Sequence, residues 1–196
     1  LSSYPAQLQN LVTPAYHTQF IVVGNEGRSG ERASEGASRI VSSLVLTQPE
    51  VVMLLEGFND IDAALSDRPL GATTPVNVSP IADELRSMVE RAQEHGAEVL
   101  LATLTPVTSV REQTDPGTQA AITALNSEIL GMSGLAGVAG VVDLHAMLDG
   151  IPGIIGSDGL HPTVAGYRRI AEIFFADIVS RYDVTPRAPA FTTARW

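Results

Sequence analysis

Four short apolar runs, at residues 19–23, 50–55, 98–102 and 137–142, constrain this chain more than any other feature. Each is rich in Val, Ile or Leu and shows little alternation, the pattern of strands covered on both faces. Between the runs lie stretches of helical periodicity. Residues 31–46 place Ala33, Ala37, Ile40, Val41 and Leu44 on one stripe. Residues 81–95 do the same with Ile81, Leu85, Met88, Val89 and Ala92, and Gly96 follows as a C-cap. A third helix is expected at 118–132. The clearest is at 163–182, where Val164, Tyr167, Ile170, Phe174, Ile178 and Tyr182 fall in register. A further short helix is expected at 4–11. Strands alternating with helices imply a three-layer α/β fold with a mainly parallel sheet.

The length suits one domain, expected over 1–184, with 185–196 as an aperiodic C-terminal extension. The segments 66–80 and 105–116 carry Pro, Gly and Thr and read as long surface loops. The net charge is −10, and all 12 basic residues are Arg. That balance argues against nucleic acid or an anionic membrane as a partner. The absence of Cys excludes disulfides, thiolate metal sites and a Cys nucleophile. No run is long and apolar enough to span a bilayer. No signal peptide is visible, yet the chain starts at Leu1 rather than Met, as upstream processing or trimming would leave it. An exported protein, periplasmic or secreted, is therefore favoured over a cytoplasmic one.

Three polar loops carry the candidate chemistry. Ser157-Asp158-Gly159-Leu160-His161-Pro162 precedes the last helix. An Asp three residues before a His can supply a base and the carboxylate that fixes its tautomer and stabilises its cation. Alternatively, Asp158 caps a turn and His161 is an ordinary loop residue, with Thr163 capping the helix. Gly57-Phe58-Asn59-Asp60 follows the second strand. The Asn59 amide is a candidate oxyanion donor, or else a simple turn residue. The loop from Gly24 to Glu31 lies between the first strand and a helix, where backbone N–H groups favour anions. Gly30 can offer an N–H with no side chain in the way. The glycine spacing is not that of a dinucleotide fingerprint, and no cluster with metal-ligand spacing is evident. Weaker candidates are His145, Arg28, Arg32 and Phe58, the last as an apolar wall for an acyl group.

Taken together, the three loops resemble the conserved blocks of the SGNH hydrolases, the GDSL-type esterases and lipases. Asn25 to Glu31 resembles the second block, with Gly30 as the oxyanion glycine. Gly57-Phe58-Asn59-Asp60 resembles the third, and Asp158 to Pro162 the last. The resemblance covers nearly the whole chain. It implies a flavodoxin-like α/β/α fold, with Asp158 and His161 as acid and base of a triad and Gly30 and Asn59 as oxyanion donors. It implies no metal and no organic cofactor. The family's first block, Gly-Asp-Ser with the nucleophilic Ser, does not occur in this sequence. Ser29 lies in the right neighbourhood as a substitute, but the expectation is a Ser upstream of these residues, on a preceding or separate N-terminal segment. That segment's strand is expected to lie in the sheet between 19–23 and 50–55.

The expected function is carboxylic-ester hydrolysis, on a small-molecule or carbohydrate ester. One alternative is a catalytically inactive binding module on the same fold, for carbohydrate. Another is a generic flavodoxin-like domain, in which the three loops do not converge.

Overall fold

The computed structural model describes residues 3–69 and 71–182. Three strands, β1 (Val51–Leu54), β2 (Glu98–Ala102) and β3 (Val138–Val142), lie side by side in chain order. Both pairings are parallel, and the register of β2 on β3 slips between Val99 and Leu100. The helices are α1 (Tyr4–Ala15), α2 (Ala33–Thr47), α3 (Phe58–Ser66), α4 (Ser79–Glu94), α5 (Ser109–Thr114), α6 (Thr118–Gly131), α7 (Leu144–Leu148) and α8 (Val164–Tyr182).

The side-chain period of two in β2 divides the core. Val99 and Leu101 face a cluster built from α2, α4 and α6, including Ile40, Leu85, Met88, Ile122 and Leu125. Leu100 and Ala102 face the opposite cluster with Leu8 and Val12 of α1 and Ile170 and Phe174 of α8. Phe174 is fully buried, and the Tyr4 ring stacks on it with centroids 5.5 Å apart. Burying a side chain of this size contributes about 1.5–3 kcal/mol, so these stripes account for where the helices sit. The expected three-layer α/β/α arrangement with a parallel sheet is what the chain adopts.

The expected strand at 19–23 does not form. Phe20 is 97% exposed and Val22 67% exposed. The backbone there is held by one side chain from α1: Gln9 donates to the Ile21 carbonyl at 3.0 Å and accepts from the Val23 N–H at 2.7 Å. Apolar composition favours an extended backbone, but a strand also needs a partner ladder, and among the described residues β1 pairs only with β2. The segment 105–116, expected as loop, contains α5. Val164, expected on the apolar stripe of α8, is 57% exposed, because the helix turns Gly166, Ile170, Ala171 and Phe174 inward. The C-terminal extension at 185–196 lies outside the described residues. Among the described residues no helix is long and apolar enough to cross a membrane.

Candidate active site

Two of the three candidate segments, that of Asn59 after β1 and the Asp158–His161 turn after β3, lie in connections that leave the C-terminal ends of strands, where open α/β sheets place ligands; the Gly30 loop instead leads from the extended segment 19–23 into α2. The Asp158–His161 turn is a self-contained unit. Asp158 Oδ1 accepts the backbone N–H groups of Leu160 and His161, both at 3.0 Å. Its Oδ2 lies 2.6 Å from His161 Nδ1. That contact puts the ring proton on Nδ1 and leaves Nε2 as an acceptor. The Leu160 N–H above all, and then the His161 ring, hold the Asp158 carboxyl down at about 2. The carboxylate therefore stays ionised down to about that pH.

The base of this turn is fastened to residues 153–156. The Gly156 N–H donates to the His161 carbonyl at 2.8 Å, and Ile155 pairs antiparallel with Pro162. Thr163 caps α8, accepting the Gly166 N–H at 3.1 Å, and donates to the Gly153 carbonyl at 2.7 Å. The dyad faces outward, with the His161 side chain 70% exposed. Among the described residues Nε2 has no hydrogen-bond partner, and the Ser29 hydroxyl does not reach it.

The other half of the site joins the Gly30 loop to the start of α3. Asn59, in the first turn of α3, donates through Nδ2 to the Glu31 carbonyl at 2.7 Å. Asp60 Oδ2 accepts the N–H of Ala33, the first residue of α2, at 3.0 Å. These bonds seat Gly30 beside Asn59. One of the two Asn59 amide protons is committed to Glu31, and the second stays available. Gly30 adopts φ +78°, a conformation suited to glycine, and a Cβ there would meet open space. Arg39 holds the loop from behind, bonding to both Glu31 carboxylate oxygens and to the Glu26 carbonyl. That hydrogen bond lowers the Glu31 pKa.

The two halves are connected through α5. Its N-cap Thr108 donates its N–H to the Gly159 carbonyl at 2.9 Å. Arg111 of α5 pairs with Asp62 of α3, and its guanidinium lies 5.6 Å from the centre of the Phe58 ring. A continuous path of contacts thus runs from Gly30 through Asn59, Phe58 and Arg111 to the Asp158–His161 turn.

Two residues with evident roles here had no strong signal in the sequence. Arg111 is one, since nothing local distinguishes it in an expected loop. The other is Glu56, between β1 and Gly57. Its carboxyl fits against Gly36, where a Cβ would come within 2.7 Å of it, and its Oε1 is buried with no hydrogen-bond partner among the described residues. Burial, and then the charges of Glu31 and Asp60, push Glu56 up to about 7. A Glu closing an apolar strand was the only available hint. His145 instead sits in α7, its N–H on Thr103 Oγ1 at 2.9 Å. Among the described residues no group of His, Cys, Asp and Glu is arranged to hold a metal ion.

Residues 1–169 match the GDSL-like lipase/acylhydrolase family. The chain belongs to that family. No match was found among curated proteins. Solved structures share the fold. An acetyl xylan esterase, AlAXEase, aligns with a TM-score of 0.72 at 18% identity over 90% of this chain and 91% of its own. A lipase/acylhydrolase from Enterococcus faecalis gives 0.70 at 23% identity, over 89% of this chain and 85% of its own. TesA gives 0.67 at 21% identity, over 90% and 87%. At such identities the likeness is one of fold.

Proposed function

We propose that this GDSL-like chain hydrolyses carboxylic esters by a serine mechanism in which His161 is the general base. The observation that carries the reading is the preformed Asp158–His161 pair, whose Nε2 has no hydrogen-bond partner among the described residues. A serine hydroxyl presented to Nε2 loses its proton to His161 as its oxygen attacks the ester carbonyl. The carbonyl π electrons move onto oxygen, and the Gly30 N–H and the second Asn59 N–H stabilise that oxyanion. The tetrahedral intermediate collapses, the His161 proton passes to the departing alkoxide, and water repeats the sequence on the acyl-enzyme. Each oxyanion donor accelerates such a step by about 10²–10³.

The serine is proposed to lie outside these 196 residues, on a strand that pairs with the edge of β1 opposite β2. Support comes from that edge of β1, unpaired among the described residues, and from the absence, among the same residues, of any hydroxyl on His161 Nε2. The substrate class proposed is a small-molecule or carbohydrate ester. An acetyl xylan esterase among the structures of similar fold supports the carbohydrate member. A second reading is an inactive carbohydrate-binding module on this fold.

A chromogenic ester series of graded acyl length, run on the full-length protein together with a fluorophosphonate probe, separates the two. Turnover and probe attached to a serine outside residues 1–196 support the hydrolase. Labelling of Ser29 would move the nucleophile into this chain. Neither turnover nor labelling would leave the binding module.

A further inference from the structure

The two halves of the site belong to different connections, and their separation must be set by something other than the sheet alone. Arg111 is placed to do this. Its side chain is 15% exposed, although it carries a charge. It pairs with Asp62 on α3 and reaches Asp115, the C-cap of α5, at 3.1 Å. The guanidinium also covers Phe58, the residue before Asn59. On its backbone side, Arg111 is pressed against the acid–base turn. A Cβ at Gly159, which has φ +77°, would come within 2.5 Å of the Arg111 nitrogen and 2.7 Å of Thr108 Oγ1. The Thr108-to-Gly159 hydrogen bond closes the same contact. One residue therefore touches α3 through its side chain and the Asp158–His161 turn through its main chain.

We infer that Arg111 is a positioning residue that holds the Asn59 helix start at working distance from the Asp158–His161 turn. This inference rests on the ester-hydrolase reading of the same site. Arg111 touches neither reacting atoms nor the dyad side chains. Removing its side chain therefore leaves the Asp158–His161 hydrogen bonds intact and loosens only the spacing. A misplacement of about 1 Å costs up to about 10²-fold in rate. The loss falls on the transition state, where base and oxyanion donors must act together, rather than on substrate binding. Lys is no equivalent, because one ammonium cannot span Asp62 and Asp115 as a planar fork does.

The test uses the full-length protein carrying Arg111→Ala or Arg111→Lys. We expect kcat to fall about 10–100-fold in Arg111→Ala, with KM within about twofold and an unchanged shape of the pH–rate profile. Added guanidinium ion should restore part of the Arg111→Ala rate and leave the wild-type rate unaffected. Amide NMR should show shifts at both Phe58–Asn59 and Gly159–His161 in a folded spectrum. An active wild type with an unchanged kcat in Arg111→Ala overturns the inference. So does a loss of rate that tracks loss of folded protein and resists guanidinium. A wild type inactive on every ester would defeat the ester-hydrolase reading instead. The NMR arm then decides alone, and shifts confined to α3 would overturn the positioning role.

Discussion

Asp158 uses its whole carboxylate within four residues of chain. One oxygen ties the turn through two backbone N–H groups, and the other meets the imidazole. Such compactness explains why the hydrogen-bonded Asp158–His161 pair was legible in the sequence. Both partners and the permissive Gly159 are adjacent, so no distant contact is needed to bring them together. Asn59 was legible only as a position. Its amide acts on Glu31, 28 residues away, a relation that no local pattern encodes. Replacing Asp158 by Asn keeps the shape but removes the charge and offers a donor where the ring needs an acceptor. Asp158→Asn and His161→Ala are each expected to lower kcat of the full-length enzyme by about 10³–10⁴. Melting temperatures should stay within a few degrees, because both side chains are more than half exposed. Steady-state kinetics beside thermal melts check this, and near-normal turnover by His161→Ala would remove it as the base.

At the scale of elements, the long helices were readable because apolar stripes repeat over three or more turns. The short ones were not: α5 spans six residues and α7 five, too few for periodicity to register. Yet α5 is what couples the site. The reverse error, at 19–23, has a related cause, since composition reports a preference for extended backbone and says nothing of the neighbouring strand. The seat of α5 on Gly159 gives a sharp expectation. In Gly159→Ala the new methyl meets a backbone nitrogen, which cannot swing aside as a flexible side chain would, at a φ that disfavours Ala. The variant should lose about 1–3 kcal/mol of stability and nearly all turnover. Chemical denaturation and ester assays together measure it. An undiminished midpoint would show that the loop moves freely off α5.

At the scale of the whole molecule, acidic charge concentrates behind the Gly30 loop, and folding must accommodate it. Glu56 faces Glu31, Glu35 and Asp60, with Arg39 as the compensating cation. In the unfolded chain this carboxyl ionises at its ordinary value of 4.5, whereas in the folded protein it holds its proton to about 7. Between these values the folded state binds more protons than the unfolded state. Stability therefore declines as pH rises through that window, and the full cost is present above it. Asp158 works in the opposite sense but lower on the scale, stabilising above the usual Asp range and losing that contribution only as pH falls toward about 2. Glu56→Gln removes the ionisation while keeping the shape against Gly36. It should match the wild type near pH 4.5 and exceed it by about 1–2 kcal/mol at pH 8, after allowing for the carboxyl's partial contact with water. Thermal melts of both proteins from pH 4.5 to 8.5 give the result directly. Parallel curves across that range would mean that Glu56 ionises in the folded protein as it does in the unfolded chain, with Arg39 offsetting the burial and the neighbouring carboxylates.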